Sequence, residues 1–220
     1  GFPFFLPAMV PSNTLRLYGG RNVTATLEET LYGQMNFPNF PVVIGDLAAG
    51  ISFHDLSEGE TIVIGKGAHR VTVRNAKLNH PNGVFSYRVD YMGRSVVYAT
   101  DTEHYSIPDV KLTELAKGTD LFIYDAMFTP EEYAGEDGGT PRLGWGHSTM
   151  MEGARLAGMG KAKLKGAGIG MGAGTQAAVT RRKPPRSSWL VRPCSSAGCW
   201  APGPRFGRSC FITASSPATG

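Results

Sequence analysis

No acidic residue follows Glu152 in this 220-residue chain, no cysteine precedes Cys194, and no histidine follows His147. These absences divide the sequence. Residues 1–160 hold 12 Lys+Arg against 18 Asp+Glu, a formal charge of −6, whereas residues 161–220 hold 10 Lys+Arg and no acid, or +10. The overall +4 therefore averages two unlike segments and does not describe a basic globular surface. Without cysteine, the first segment carries no disulfide framework and fits a reducing compartment, so a cytoplasmic protein is expected. No apolar run approaches the roughly 18–20 residues that a membrane span needs. The apolar start Gly1-Phe2-Pro3-Phe4-Phe5-Leu6-Pro7 has no basic n-region and is broken by two prolines, so no signal peptide is visible in these residues. It also opens without Met, in mid-pattern, as if more came before it.

What is present reads as an α/β domain. Phe2–Asn13 is apolar but Pro-rich, a buried or half-buried loop. Leu15–Tyr18 is a short strand closed by Gly19-Gly20. Thr26 and Glu29 have capping-box spacing, and Leu27, Leu31 and Met35 follow at helical intervals. Strand signals then come in close succession at Gly50–Asp55, Thr61–Ile64, His69–Leu78, Phe85–Tyr91 and Ser95–Ala99, with Met92-Gly93 as a hairpin turn. Pro108–Ala116 is helical with Leu112 and Leu115 inward. Asp120–Tyr124 is a continuous apolar run suited to a strand covered on both faces. Ser148–Leu156 is a helix, with Thr149 and Glu152 at capping-box spacing. Strands followed by strand–helix alternation indicate a sheet covered by helices.

After Gly158 the pattern disappears. Residues 159–220 show Gly-Ala repeats and then Pro, Ser and Arg clusters without periodicity, too little to bury against chain entropy. The expected organisation is a domain over 1–158 and a low-complexity basic tail over 159–220. That tail is expected to be disordered or non-native rather than a selected nucleic-acid arm. Its cysteines lack Cys-x-x-Cys spacing, which rejects a zinc finger, and the glycines at 168 and 170 follow no strand signal in a stretch where glycine is everywhere, so no nucleotide loop is expected there.

Three loops combine a titratable residue, the end of a strand and a turn: Leu78-Asn79-His80-Pro81-Asn82-Gly83, Tyr98-Ala99-Thr100-Asp101-Thr102-Glu103-His104, and Gly144-Trp145-Gly146-His147-Ser148-Thr149. Ligands in open α/β sheets gather beyond the carboxyl ends of strands, so the three loops are expected to converge. Singly, each pattern is an ordinary turn or helix start. His54 and His69 read as surface or turn residues.

In this order, with Asp120-Leu-Phe-Ile-Tyr-Asp125-Ala126 between the second and third loops, residues 1–157 resemble the metallo-β-lactamase-fold hydrolases. The resemblance is closest to the branch containing ribonuclease Z and the cyclic-phosphate phosphodiesterases. It implies a partial αββα sandwich and a centre of two divalent metals, zinc by preference, whose bridging hydroxide attacks phosphorus or carbonyl carbon. On that resemblance His80 is a metal ligand, Asp101 bridges the metals and belongs to the catalytic set, and His147 assists at the leaving group. Asp125 stands where the branch has an acid that orients a histidine. His104 lies outside the pattern and is either an addition near the metals or a surface residue.

The departures are as specific. The family's His-x-His-x-Asp-His run is absent from these residues, and no histidine follows the helix at 148–157 where a last ligand is expected. Two remaining ligands should hold zinc weakly. The expectation is thus a phosphodiester hydrolase that is inactive, or nearly so, as an N-terminally truncated chain. A lactone or thioester hydrolase of the same fold is the alternative within the family. The rival outside it is a non-enzymatic protein that binds nucleic acid through the +10 tail. No membrane partner is expected, and the oligomeric state is not legible.

Overall fold

The computed structural model describes residues 6–21, 23–167 and 179–181. Most of the basic tail, including all three cysteines, lies outside the described residues, as do Phe2–Phe5 of the opening loop.

A seven-stranded sheet forms the centre, in the order β3 (Thr61–Ile64), β4 (Val71–Leu78), β5 (Val84–Tyr91), β6 (Arg94–Ala99), β7 (Leu121–Tyr124), β8 (Leu164–Ala167), β9 (Val179–Arg181). Strands β3 to β6 form an antiparallel meander, β7 and β8 join in parallel, and β9 returns antiparallel. The β5–β6 hairpin turns through Met92 (φ 46°) and Gly93 (φ 72°). Two consecutive positive φ values are those of the two-residue hairpin turn whose twist matches the flanking strands. Two strands lie past residue 158, where the periodicity ends. Leu164–Ala167 (Leu-Lys-Gly-Ala) has neither β-branched nor aromatic residues, and its place is fixed by pairing with β7.

Helix α2 (Val110–Leu115) starts at Asp109, whose carboxylate accepts from the Leu112 amide at 2.9 Å. It turns Leu112 and Leu115 inward, as the spacing predicts. Its terminal carbonyls are met by Arg88 of β5, whose guanidinium donates to Leu115 O at 3.0 Å and Lys117 O at 2.7 Å. A helix end that would otherwise be unsatisfied is thus tied to the sheet. Helix α4 (Met150–Met159) buries Leu156 and Ala157 on the same face. Together they cover Ala76, Leu78, Val97, Ala99, Phe122 and Tyr124 of the sheet, which is the main core.

A smaller layer pairs β1 (Thr14–Gly20) in parallel with β2 (Gly50–Leu56) under helix α1 (Leu27–Gln34). Thr26 and Glu29 form the expected reciprocal capping box. Ala8, Met35, Ile44 and Leu47 are buried there against Leu15, Leu31, Ile51 and Phe53. The layered α/β fold is the one expected from the sequence. Among the described residues no helix is long and apolar enough to cross a membrane.

Asp120, just before β7, accepts from Lys163 Nζ at 3.0 Å, Ser95 N at 2.8 Å and Arg94 at 3.3 Å. Lys163 above all, then the Ser95 amide and Arg94, hold its carboxyl down to about 2. The group therefore stabilises the fold above about pH 4 and loses that contribution as pH falls through about 2. The cations are exposed, so the effect is under about 1 kcal/mol. Urea titrations of the wild type and Asp120→Asn should differ at pH 7 and converge near pH 2.

Candidate functional site

Strands β4, β6 and β7 run in the same direction, so their carboxyl ends open on one edge of the sheet. Two backbone bonds draw the loops together there: Asp125 N donates to Ala99 O at 3.1 Å, and Glu103 N to Asn79 O at 2.8 Å. His80, Asp101, His104, Asp125 and His147 all lie at that edge. His54 and His69 do not; they are in β2 and beside β4.

Asp125 is buried (3% exposed) and accepts four hydrogen bonds. One oxygen takes the amides of Met127 at 3.1 Å and Ser148 at 3.4 Å. The other takes Thr102 N at 3.2 Å and His147 Nδ1 at 2.8 Å. Since a carboxylate only accepts, His147 carries a proton on Nδ1, and its Nε2 is the nitrogen left for chemistry. His147 keeps some exposure, with 21% of its side chain accessible, and its ring meets that of His80 edge-on at 6.3 Å between centroids.

His80 stands against Gly146. A Cβ at position 146 would lie 2.3 Å from its Cδ2 and 2.7 Å from its Nε2, and Gly146 has φ 82°, so only glycine fits there. Asn82 N donates to His80 Nδ1 at 3.2 Å, which places the proton of the neutral ring on Nε2. Asp101 is exposed at φ 55°, a conformation Asp tolerates better than most residues. Its carboxylate accepts from Thr100 Oγ1 at 3.1 Å, and the two following residues are pinned by Asp125 and Asn79.

His104 resolves to neither extreme: it is half-buried and built into the wall behind the site. Tyr124 OH donates to Ser148 Oγ at 2.9 Å, and the serine hydroxyl in turn serves His104 Nδ1 at 2.7 Å. Burial lowers the His104 pKa, in keeping with a neutral ring that accepts at Nδ1. Ser148 is fully buried with its hydroxyl engaged on both sides, so it is scaffold and not a nucleophile.

Sequence reasoning passed over Glu103 as a functional residue. It is 1% exposed, and its carboxylate accepts from Tyr133 OH at 2.7 Å, Gly144 N at 2.7 Å and Gly146 N at 2.8 Å. Burial, together with the bond to Glu103, raises the Tyr133 pKa, so the phenol stays a donor. Glu103 thereby fixes the loop that leads into His147. Nothing in the local sequence marks this role, because its donors lie 30 to 43 positions away.

The described residues do not by themselves fit a two-metal centre. Among them no group of three or more His, Cys, Asp or Glu side chains is placed to hold a metal ion. His80 presents a protonated Nε2, whereas a ligating nitrogen needs its lone pair. The ligand roles of His80 and Asp101 thus rest on the resemblance.

The solved structures similar to the chain include the following three. Against human tRNase Z, short form, it has 18% identity and a TM-score of 0.48, covering 70% of this chain and 60% of that one. For the metallo-β-lactamase-fold protein YhfI from Bacillus subtilis the values are 16%, 0.46, 69% and 50%. For zinc-bound PqqB from Methylobacterium extorquens they are 14%, 0.40, 64% and 48%. The chain therefore spans about half to three-fifths of the length of these structures. No curated protein matches it. The family described as the beta-lactamase superfamily domain matches residues 5–165, which is most of the sequence. By that match, the chain belongs to the β-lactamase superfamily domain family.

Proposed function

We propose that the edge formed by β4, β6 and β7 is the leaving-group half of a metal-dependent hydrolase centre, acting on phosphodiesters. The observation that carries this reading is the His147–Asp125 pair. A buried carboxylate accepts from Nδ1 at 2.8 Å, which fixes the ring and leaves Nε2 outside that bond on a partly exposed side chain. An imidazole so held can donate a proton from Nε2 to a departing oxygen when charged, and accept one when neutral. Half-buried His104, with buried Ser148 and Glu103, forms the hydrogen-bonded wall behind it.

The metal needs ligands beyond those of the described residues. We therefore propose that this chain alone is inactive or nearly so. Elemental analysis after dialysis should find fewer than about one equivalent of zinc, since two donors bind it weakly. Hydrolysis of bis(p-nitrophenyl) phosphate should stay near background. A version extended at its N-terminus by a segment bearing the His-x-His-x-Asp-His run should hold about two metals and turn over. In it, His147→Ala should lose about 100-fold or more in kcat. Two equivalents of zinc in the chain as given, with turnover lost in His80→Ala, would overturn the inactivity. If the extended version holds no metal either, the hydrolase reading falls.

A further inference from the structure

We propose that Trp145, with Arg142, forms a subsite for the nucleoside part of a nucleotide phosphodiester beside His147; the inference rests on the phosphodiester reading. A single exposed aromatic needs no explanation on its own. Trp145 differs in how it is held. The residue is 56% exposed, yet its backbone is pinned: Trp145 N donates to Arg142 O at 3.1 Å, and the glycines on either side donate to the buried Glu103 carboxylate. A loop fixed from beneath holds the point from which the indole projects into solvent.

Two neighbours give that indole a chemical address. The Arg142 guanidinium carbon lies 5.2 Å from the indole centroid, so a cation covers the ring on one side. That guanidinium also donates to Thr140 O, which uses only part of its five-donor capacity. Phe128 meets Trp145 edge-on at 6.5 Å and His147 edge-on at 6.2 Å, both at 78°. The indole is therefore one ring removed from the imidazole that would act on the phosphoryl group. An exposed aromatic face, a cation and a neighbouring phosphoryl-transfer histidine match a planar base joined to a phosphate. Base–aromatic stacking tolerates any base, so the subsite selects nucleotides over simple phosphates without reading sequence. Phosphate ions and sugar phosphates can use the cation alone.

Calorimetric titration of the intact chain with AMP, ribose 5-phosphate and orthophosphate tests this without requiring turnover or metal. AMP should bind about tenfold or more tightly than ribose 5-phosphate. Trp145→Ala should erase that advantage and leave ribose 5-phosphate unchanged. Trp145→Phe should keep AMP affinity within about threefold, because a phenyl ring still stacks. Arg142→Ala should weaken all phosphorylated probes together. Equal binding of AMP and ribose 5-phosphate, an unchanged Trp145→Ala, or no AMP binding at millimolar concentration overturns the subsite. Nucleotide selectivity without diesterase turnover in the extended version keeps the subsite and removes the hydrolase reading. Turnover without nucleotide selectivity does the reverse.

Discussion

Glu103→Gln is expected to destabilise the chain by about 2 kcal/mol, a large share of an ordinary domain's stability. The carboxylate is buried and receives three donors, Tyr133 OH and Gly144 N on one oxygen and Gly146 N on the other. Glutamine replaces one oxygen with an amino group, which is itself a donor. If its remaining oxygen keeps Tyr133 and Gly144, the amino group faces the Gly146 amide, donor against donor. If it flips, Gly146 is kept and the other two lose their acceptor. The first arrangement costs less, so the damage should concentrate at Gly146. A neutral amide is cheaper to bury than a carboxylate, which offsets part of the loss. Urea unfolding measures the total. Hydrogen exchange locates it: the Gly146 amide should exchange faster while the amides of β4 to β6 stay protected. A variant within about 0.5 kcal/mol of wild type, with Gly146 unchanged, would show that the loop is held by other contacts.

The contrast between Glu103 and Thr26 shows what the sequence could and could not disclose. Thr26 bonds to a residue three positions away, so its capping box was legible as a spacing. The same holds for the Met92-Gly93 turn and for the inward Leu112 and Leu115. Helix α3 (Pro130–Ala134) was legible in the same way but was not read. Thr129 and Glu132 form a second capping box, with Pro130 at the first helical position. Glu103, His104 and Ser148 gain their roles only once β6, β7 and the 140s loop are brought together, and no local pattern encodes that. The resemblance placed Asp125 near a histidine, and the structure identifies the histidine as His147. It also assigned ligand roles to His80 and Asp101, which the described residues do not assemble into a metal site. Strand β8 was invisible because its four residues have no β-forming character and depend on β7 for their conformation.

Asp125→Asn is expected to move the proton of His147 from one ring nitrogen to the other. In the wild type, one Asp125 oxygen serves two backbone amides, Met127 and Ser148, and the other serves Thr102 N and His147 Nδ1. Asparagine can accept on one side only. Backbone amides cannot give up their protons, so the asparagine oxygen should stay with Met127 and Ser148, where losing the acceptor would orphan two donors. Its amino group then faces Thr102 N, which loses its acceptor, and His147, which can respond. A neutral imidazole meets a donor by accepting at Nδ1, and its proton moves to Nε2. The fold should lose about 1–3 kcal/mol for the unpaired Thr102 amide. The site should lose its Nε2 lone pair, the feature on which acid–base work at the leaving group depends. Long-range proton–nitrogen correlation spectra of the histidine rings distinguish the two forms. At a pH where the ring is neutral, His147 should show a protonated Nδ1 in the wild type and a protonated Nε2 in the variant, with His80 protonated on Nε2 in both. The same His147 tautomer in both proteins would mean that Asp125 supports the loop without orienting the imidazole, and the Nε2 lone pair of His147 would then not depend on Asp125.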